Sequence, residues 1–165
     1  MKRIAALGLA AALWAALVLP AYAVALLNVG LTTAVTAQVT PTYQLRGQPG
    51  RWLPAGAALQ GTFTYGSGGT TADAWVQTSL DGGTTWIDVA NFHFTTSSAR
   101  FVFNLNSATS VATEYTPTVG TLTANTAKDG IIGSMWRVEY TSVGTYAGGT
   151  TLRVDAFTNG LTSFP

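Results

Sequence analysis

A chain of 165 residues is long enough for one hydrophobic core and too short for two independent ones. Charged residues make up only 9% of it. With Lys2 and Arg3 set aside, Arg46, Arg51, Arg100, Lys128, Arg137 and Arg153 stand against seven carboxylates, and this near-neutral balance argues against a nucleic-acid partner; with no cysteine, a disulfide framework and a thiolate metal centre are excluded.

The chain opens on Lys2 and Arg3, an uncharged apolar run from Ile4 to Leu19, then Pro20 and the small-residue triplet Ala21-Tyr22-Ala23. A basic end, an apolar stretch and small side chains at the first and third positions of the triplet are the marks of a secretory signal peptide cleaved after Ala23. Cleavage there would deliver a periplasmic or secreted protein. Two other readings fit the same residues. Because uncharged sequence continues to Leu27, the segment is long enough to remain as a membrane anchor across a hydrocarbon core of about 30 Å. Alternatively, translation begins near Val24 and the leader is never made. Residues 1–23 are therefore set apart as an apolar leader, and 24–165 are taken as a single domain.

Past Val24, short alternating runs of Thr, Val, Tyr and Phe are separated by Gly, Asn, Asp and Pro, which are strand and turn signals. Val29 to Val39 alternates, with Val29, Leu31, Val35 and Val39 on one face. Between Pro49 and Gly61 the Pro- and Gly-rich sequence from Gly50 to Gly56 predicts a loop. Strands are predicted over Leu59 to Tyr65 and Ala74 to Leu80, joined through a hairpin turn at Gly66-Ser67-Gly68-Gly69. Asp81 to Thr84 turns the chain into Trp86 to Val89, and further strands are predicted around Phe92 to Thr95 and over Arg100 to Leu105. The last of these carries Phe101, Phe103 and Leu105 on one face and Arg100, Val102 and Asn104 on the other. Asn106 to Gly130, rich in Ser, Thr, Ala and Asn, predicts a sheet-to-sheet crossing or a long surface loop, the first place to look for function. Met135 to Thr141 and Thr150 to Phe157 complete the pattern as a predicted terminal hairpin. About eight strands and no amphipathic helix predict an all-β antiparallel sandwich, jelly-roll-like, in one domain.

Ser79-Leu80-Asp81-Gly82-Gly83-Thr84-Thr85-Trp86 matches the Asp-box pattern Ser-x-Asp-x-Gly-x-Thr-Trp at each defined position: Ser79, Asp81, Gly83, Thr85 and Trp86. The physical roles of such residues are structural. The carboxylate accepts backbone N–H groups within the turn, glycine admits positive φ, and the indole packs beneath the hairpin. In sialidase-like propellers the box recurs in several blades; a single copy in a chain of this length predicts a hairpin and no glycosidase.

No catalytic residue and no cofactor are assigned. His93 is the only histidine, too few ligands for a zinc centre, and its neighbours Phe92 and Phe94 turn it to the opposite face of its strand. Asp73, Asp81, Asp88, Asp129 and Asp155 fall at turns or exposed strand positions, and Glu139 shares a strand face with Arg137, a pattern of solvated or cross-strand pairs. No nucleophile elbow and no phosphate loop are present. Trp52, Trp75 and Trp136 are candidate aromatics for packing or for stacking on a sugar. Sparse charge and several sheet edges point to neighbours that cover those edges.

The segment from Asn28 to Phe157 resembles a family of small structural proteins from tailed bacteriophages and prophages. The resemblance is carried by Thr62 to Thr71, by Val76 to Trp86, by Asp129-Gly130-Ile131-Ile132-Gly133 and by Gly144 to Leu152. It implies a non-enzymatic virion component: a head decoration or cement protein, or a tail or fibre attachment module. The partners it implies are further copies of the chain or other virion proteins. The family supplies no motif from which catalytic residues carry over. A cleaved leader would instead suit an exported module that binds a cell surface or glycan, with membrane contact only through residues 1–23 if these are retained.

Overall fold

The computed structural model describes residues 23–45 and 54–158. The leader and Trp52 therefore lie outside the described residues. Among the described residues eleven strands are formed: β1 (Val24–Gly30), β2 (Val35–Val39), β3 (Tyr43–Gln44), β4 (Gly56–Thr64), β5 (Ser67–Gly68), β6 (Thr71–Ser79), β7 (Ile87–Phe94), β8 (Ala99–Asn106), β9 (Met135–Val143), β10 (Tyr146–Ala147) and β11 (Thr151–Thr158). They build an antiparallel sandwich. One sheet runs β1-β11-β4-β8; the other runs β2-β9-β6-β7, with β3 continuing the β2 edge along β9.

Counting β2 and β3 as one interrupted strand, and setting aside the two-residue ribbon of β5 with β10, leaves eight principal strands. These pair as a nested series, β1 with β11, β2 with β9, β4 with β8 and β6 with β7, and β11–β4 and β9–β6 contacts complete the two sheets. This is the strand order of a jelly roll.

Alternation decides which side chains enter the core. On β4, Ala57, Leu59 and Phe63 are buried; on β6, Ala72, Ala74 and Val76; on β9, Trp136, Val138 and Tyr140; on β11, Leu152, Val154 and Ala156. Phe63 stacks on Phe94 at 5.2 Å between ring centres, and Phe92 meets Phe103 at 5.1 Å, so aromatic contacts join the two sheets. Gly61 makes room for this pair: a Cβ there would lie 2.5 Å from the Phe92 ring.

Several sequence expectations are corrected. Val29 to Val39 is not one strand, because the chain leaves β1 at Gly30 and enters β2 in the opposite sheet at Val35. The Gly66 to Gly69 turn is likewise a crossing between sheets, since β4 and β6 never pair. Nor do β9 and β11 form a hairpin; they too belong to opposite sheets, and the Gly-rich connection between them carries β10. Conversely, the two strands expected around Val89 and Phe92 are one, β7. Its register against β6 shifts from Val76↔Ala90 to Gln77↔Asp88, leaving Val89 as a bulge.

Candidate functional site

The outer face of β9, β6 and β7 carries a polar cluster that no short motif announces. Bulging of β7 at Val89 turns Asp88 onto the same face as Gln77, its partner in the β6 ladder, while Arg137 and Glu139 come from β9 on the other side. Gln77 is fully buried and uses both ends of its amide. Its Nε2 donates to Asp88 Oδ1 at 2.9 Å and to Glu139 Oε2 at 3.0 Å, and its Oε1 accepts from Arg137 Nε at 2.7 Å. The Arg137 guanidinium also lies over the Trp86 ring, 4.2 Å from its centre. Burial pulls the Arg137 pKa below its ordinary value, and the nearby Glu139 and Asp88 charges oppose that pull.

Over this cluster runs a strap, residues 118–128, from the long β8–β9 connection. Asp88 holds it. The backbone N–H groups of Gly120, Thr121 and Leu122 all donate to the Asp88 carboxylate, at 3.2, 2.9 and 3.2 Å. Gly120 has φ +66, and a Cβ there would lie 3.0 Å from Glu139 Oε1, so both conformation and space favour glycine. Trp75 Nε1 and Asn91 Nδ2 both donate to the Leu122 carbonyl. Along the outer edge of β7 the strap makes backbone bonds: Asp88 N–H to Thr118 O, Asn91 N–H to Thr126 O, and Lys128 N–H to Val89 O. Asp88 is thus fully buried, not the exposed strand residue the alternation suggested. Its acceptor sites are directed to the strap and to Gln77, which makes the cluster a fastener between sheet and loop.

The β6–β7 turn is built around two side chains. Ser79 Oγ accepts from the Gly83 N–H and donates to Asp81 Oδ1, both at 2.8 Å; the Thr85 N–H donates to the same oxygen at 2.8 Å. Gly82 and Gly83 have φ of +74 and +96. Trp86 is 9% exposed beneath Arg137. Hydrogen bonds from Thr85 and Ser79 stabilise the charged carboxylate and hold the Asp81 pKa at about 2, against an ordinary 3.8. The turn brings Ser79, Asp81, Gly83 and Thr85 into one bonded unit that holds the hairpin closed.

The tryptophans separate by face. Trp136 is fully buried, its Nε1 donating to Gly133 O at 2.8 Å, so it is a packing residue. Trp75 points outward and is half-buried beside the strap, its polar end already engaged at Leu122. His93 and Asp73, directly opposite on β7 and β6, meet at 2.8 Å between Nδ1 and Oδ1, while the His93 N–H donates to Asn125 Oδ1. No serine, threonine or tyrosine hydroxyl among the described residues bonds to that ring. Among the described residues no group of three or more His, Cys, Asp or Glu is placed to hold a metal ion. A shallow concavity of about 370 Å³ opens on the long connection between Ser110–Tyr115 and Lys128–Ile131, with Lys128 Nζ over the Tyr115 ring.

The sequence did not announce the Gln77–Asp88 link, which depends on the bulge at Val89, or the strap, whose N–H groups reach Asp88 from more than thirty positions away in the chain. The pairing of Arg137 with Glu139 on one face was the available signal. Compared with protein-family models and with curated proteins, the chain matches none.

Proposed function

We propose that this chain is a non-enzymatic structural protein of a tailed-phage virion, either a head decoration or cement protein or a tail or fibre attachment module. It acts through the surfaces of its β-domain and through self-association. The observation that carries this reading is the jelly-roll strand order, an architecture used by capsid and lectin domains, in a chain whose buried polar cluster is directed to its own loop. Architecture alone does not fix function; the resemblance to phage structural proteins and the sparse charge supply the remaining support.

The alternative is an exported module that binds a cell surface or glycan. It finds its foothold in the concavity beside Tyr115, since Trp75 already donates its indole N–H to the strap. N-terminal peptide mass spectrometry on the native producer separates the two, comparing pelleted particles with the soluble secreted fraction. Enrichment in particles of a chain beginning near Val24 is the expected result. A chain cleaved after Ala23 and recovered free in the secreted fraction would sink the virion reading.

A further inference from the structure

Among the described residues four strand edges border the two sheets, and three are protected. The β7 edge is capped by the strap. The β1 edge strand carries a register shift between Ala25 and Leu27, and β2 carries another between Val35 and Gln38, with Ala37 at φ +49 and Pro41 close behind. Bulges and prolines are the ordinary means of blunting an edge. The fourth edge, β8, has neither: its register against β4 is unbroken from Gly56↔Asn106 to Phe63↔Ala99, and it contains no proline or lysine. It also exposes apolar surface, Phe101 at 38% and Val102 at 57%.

The hydrogen-bonding phase of this edge is fixed. Ser107 N–H donates to Ala55 O, immediately beyond the paired ladder. Antiparallel pairs alternate between bonded and non-bonded, so Ala99, Phe101, Phe103 and Leu105 direct their N–H and C=O groups toward β4. Arg100, Val102, Asn104 and Asn106 direct theirs outward. The Asn106 N–H is taken by Asp129, whose carboxylate also accepts from Thr109 Oγ1 and the Gly130 N–H. Arg100, Val102 and Asn104 are left with free outward groups among the described residues.

We propose that this edge is the contact surface for a second copy of the chain, paired antiparallel about a two-fold axis through Val102. In that register Val102 faces the partner's Val102, and Arg100 faces the partner's Asn104, so the three free residues of each copy meet the three of the other. On the opposite face Phe101 comes beside the partner's Phe103, an aromatic cross-strand pair. Charge complements the register. Arg100, the only charged residue on β8, reaches diagonally toward the partner's Asp129, whose hydrogen bonds keep its pKa below the ordinary carboxylate value. Moving the axis to Arg100 sets two like charges opposite each other, and moving it to Phe103 sets Arg100 against the partner's Asn106, whose N–H is already bonded.

This inference rests on the self-association in the proposed function and adds its surface and register. Sedimentation velocity on the full chain is expected to show a concentration-dependent dimer. Val102→Cys, in a chain without cysteine, is expected to cross-link under mild oxidation, because opposed bonded residues lie about 5.5 Å apart at Cα, within disulfide range. Arg100→Cys, opposite asparagine, is expected to remain uncross-linked. Val102→Pro removes only an outward N–H, which an edge strand tolerates, and is expected to leave a folded monomer. A chain monomeric at every concentration would overturn the pairing, as would a dimer in which Val102→Cys does not cross-link. If Val102→Pro fails to fold, the cysteine variants decide. A monomer that is nonetheless enriched in particles leaves the virion reading standing and removes the β8 contact.

Discussion

Asp81 and Asp88 show how differently two carboxylates a few residues apart can be used. Asp81 is exposed, and its depressed pKa comes from hydrogen bonds within one turn. A carboxylate lowered on folding contributes stability that is fully present above its unfolded value, here 3.8, and is lost as pH falls through about 2. Asp129, lowered by its bonds from Asn106 N–H and Thr109 Oγ1, contributes in the same direction. NMR titration of the Asp81 carboxyl is expected to give a midpoint near 2, and Asp81→Ala is expected to weaken the dependence of stability on pH below 3.8. Asp88 is buried and accepts four hydrogen bonds. Asp88→Ala strands those donors and leaves Arg137 less balanced; a loss of about 3–5 kcal/mol is expected in urea unfolding. Amide exchange should rise first at residues 118–128. The Asp81 turn was legible because all its partners lie within the octapeptide. Asp88 was not, because the strap that buries it returns from the far side of β8, and nothing local in Ile87-Asp88-Val89 signals its arrival.

At the level of elements, the strands were legible and their connections were not. Alternation located β4, β6, β8, β9 and β11, since each has one face in the core and one outside. Strand β7 was read as two strands because both of its faces are covered, by the core and by the strap, so its run from Ile87 to Phe92 is buried throughout and shows no single alternation. Gly-rich turns such as Gly66 to Gly69 serve equally well for a hairpin and for a passage between sheets, and only the pairing partners distinguish the two. Gly61 is an element-scale constraint of another kind, since it lets β4 lie close against the Phe92 ring of the opposing sheet. Gly61→Ala forces that ring to shift against Phe103, and a loss of about 2 kcal/mol is expected, read as a lower Tm in calorimetry.

For the whole molecule, fold class follows from composition and period, whereas strand order does not. The all-β sandwich was predicted from short alternating runs, but the nesting of β1 with β11 around β2 with β9, β4 with β8 and β6 with β7 is a property of the entire chain. The same nesting orders the molecule in time. The innermost pair, β6 and β7, is the most local; each outer pair closes a longer loop. Val24 lies opposite Ala156, so β1 must wait until β11 has been made, an interval on the order of ten seconds at ordinary elongation rates. During that interval β1 has no partner among the described strands. β1 therefore emerges from the ribosome unpaired, and its sheet is completed only when β11 arrives.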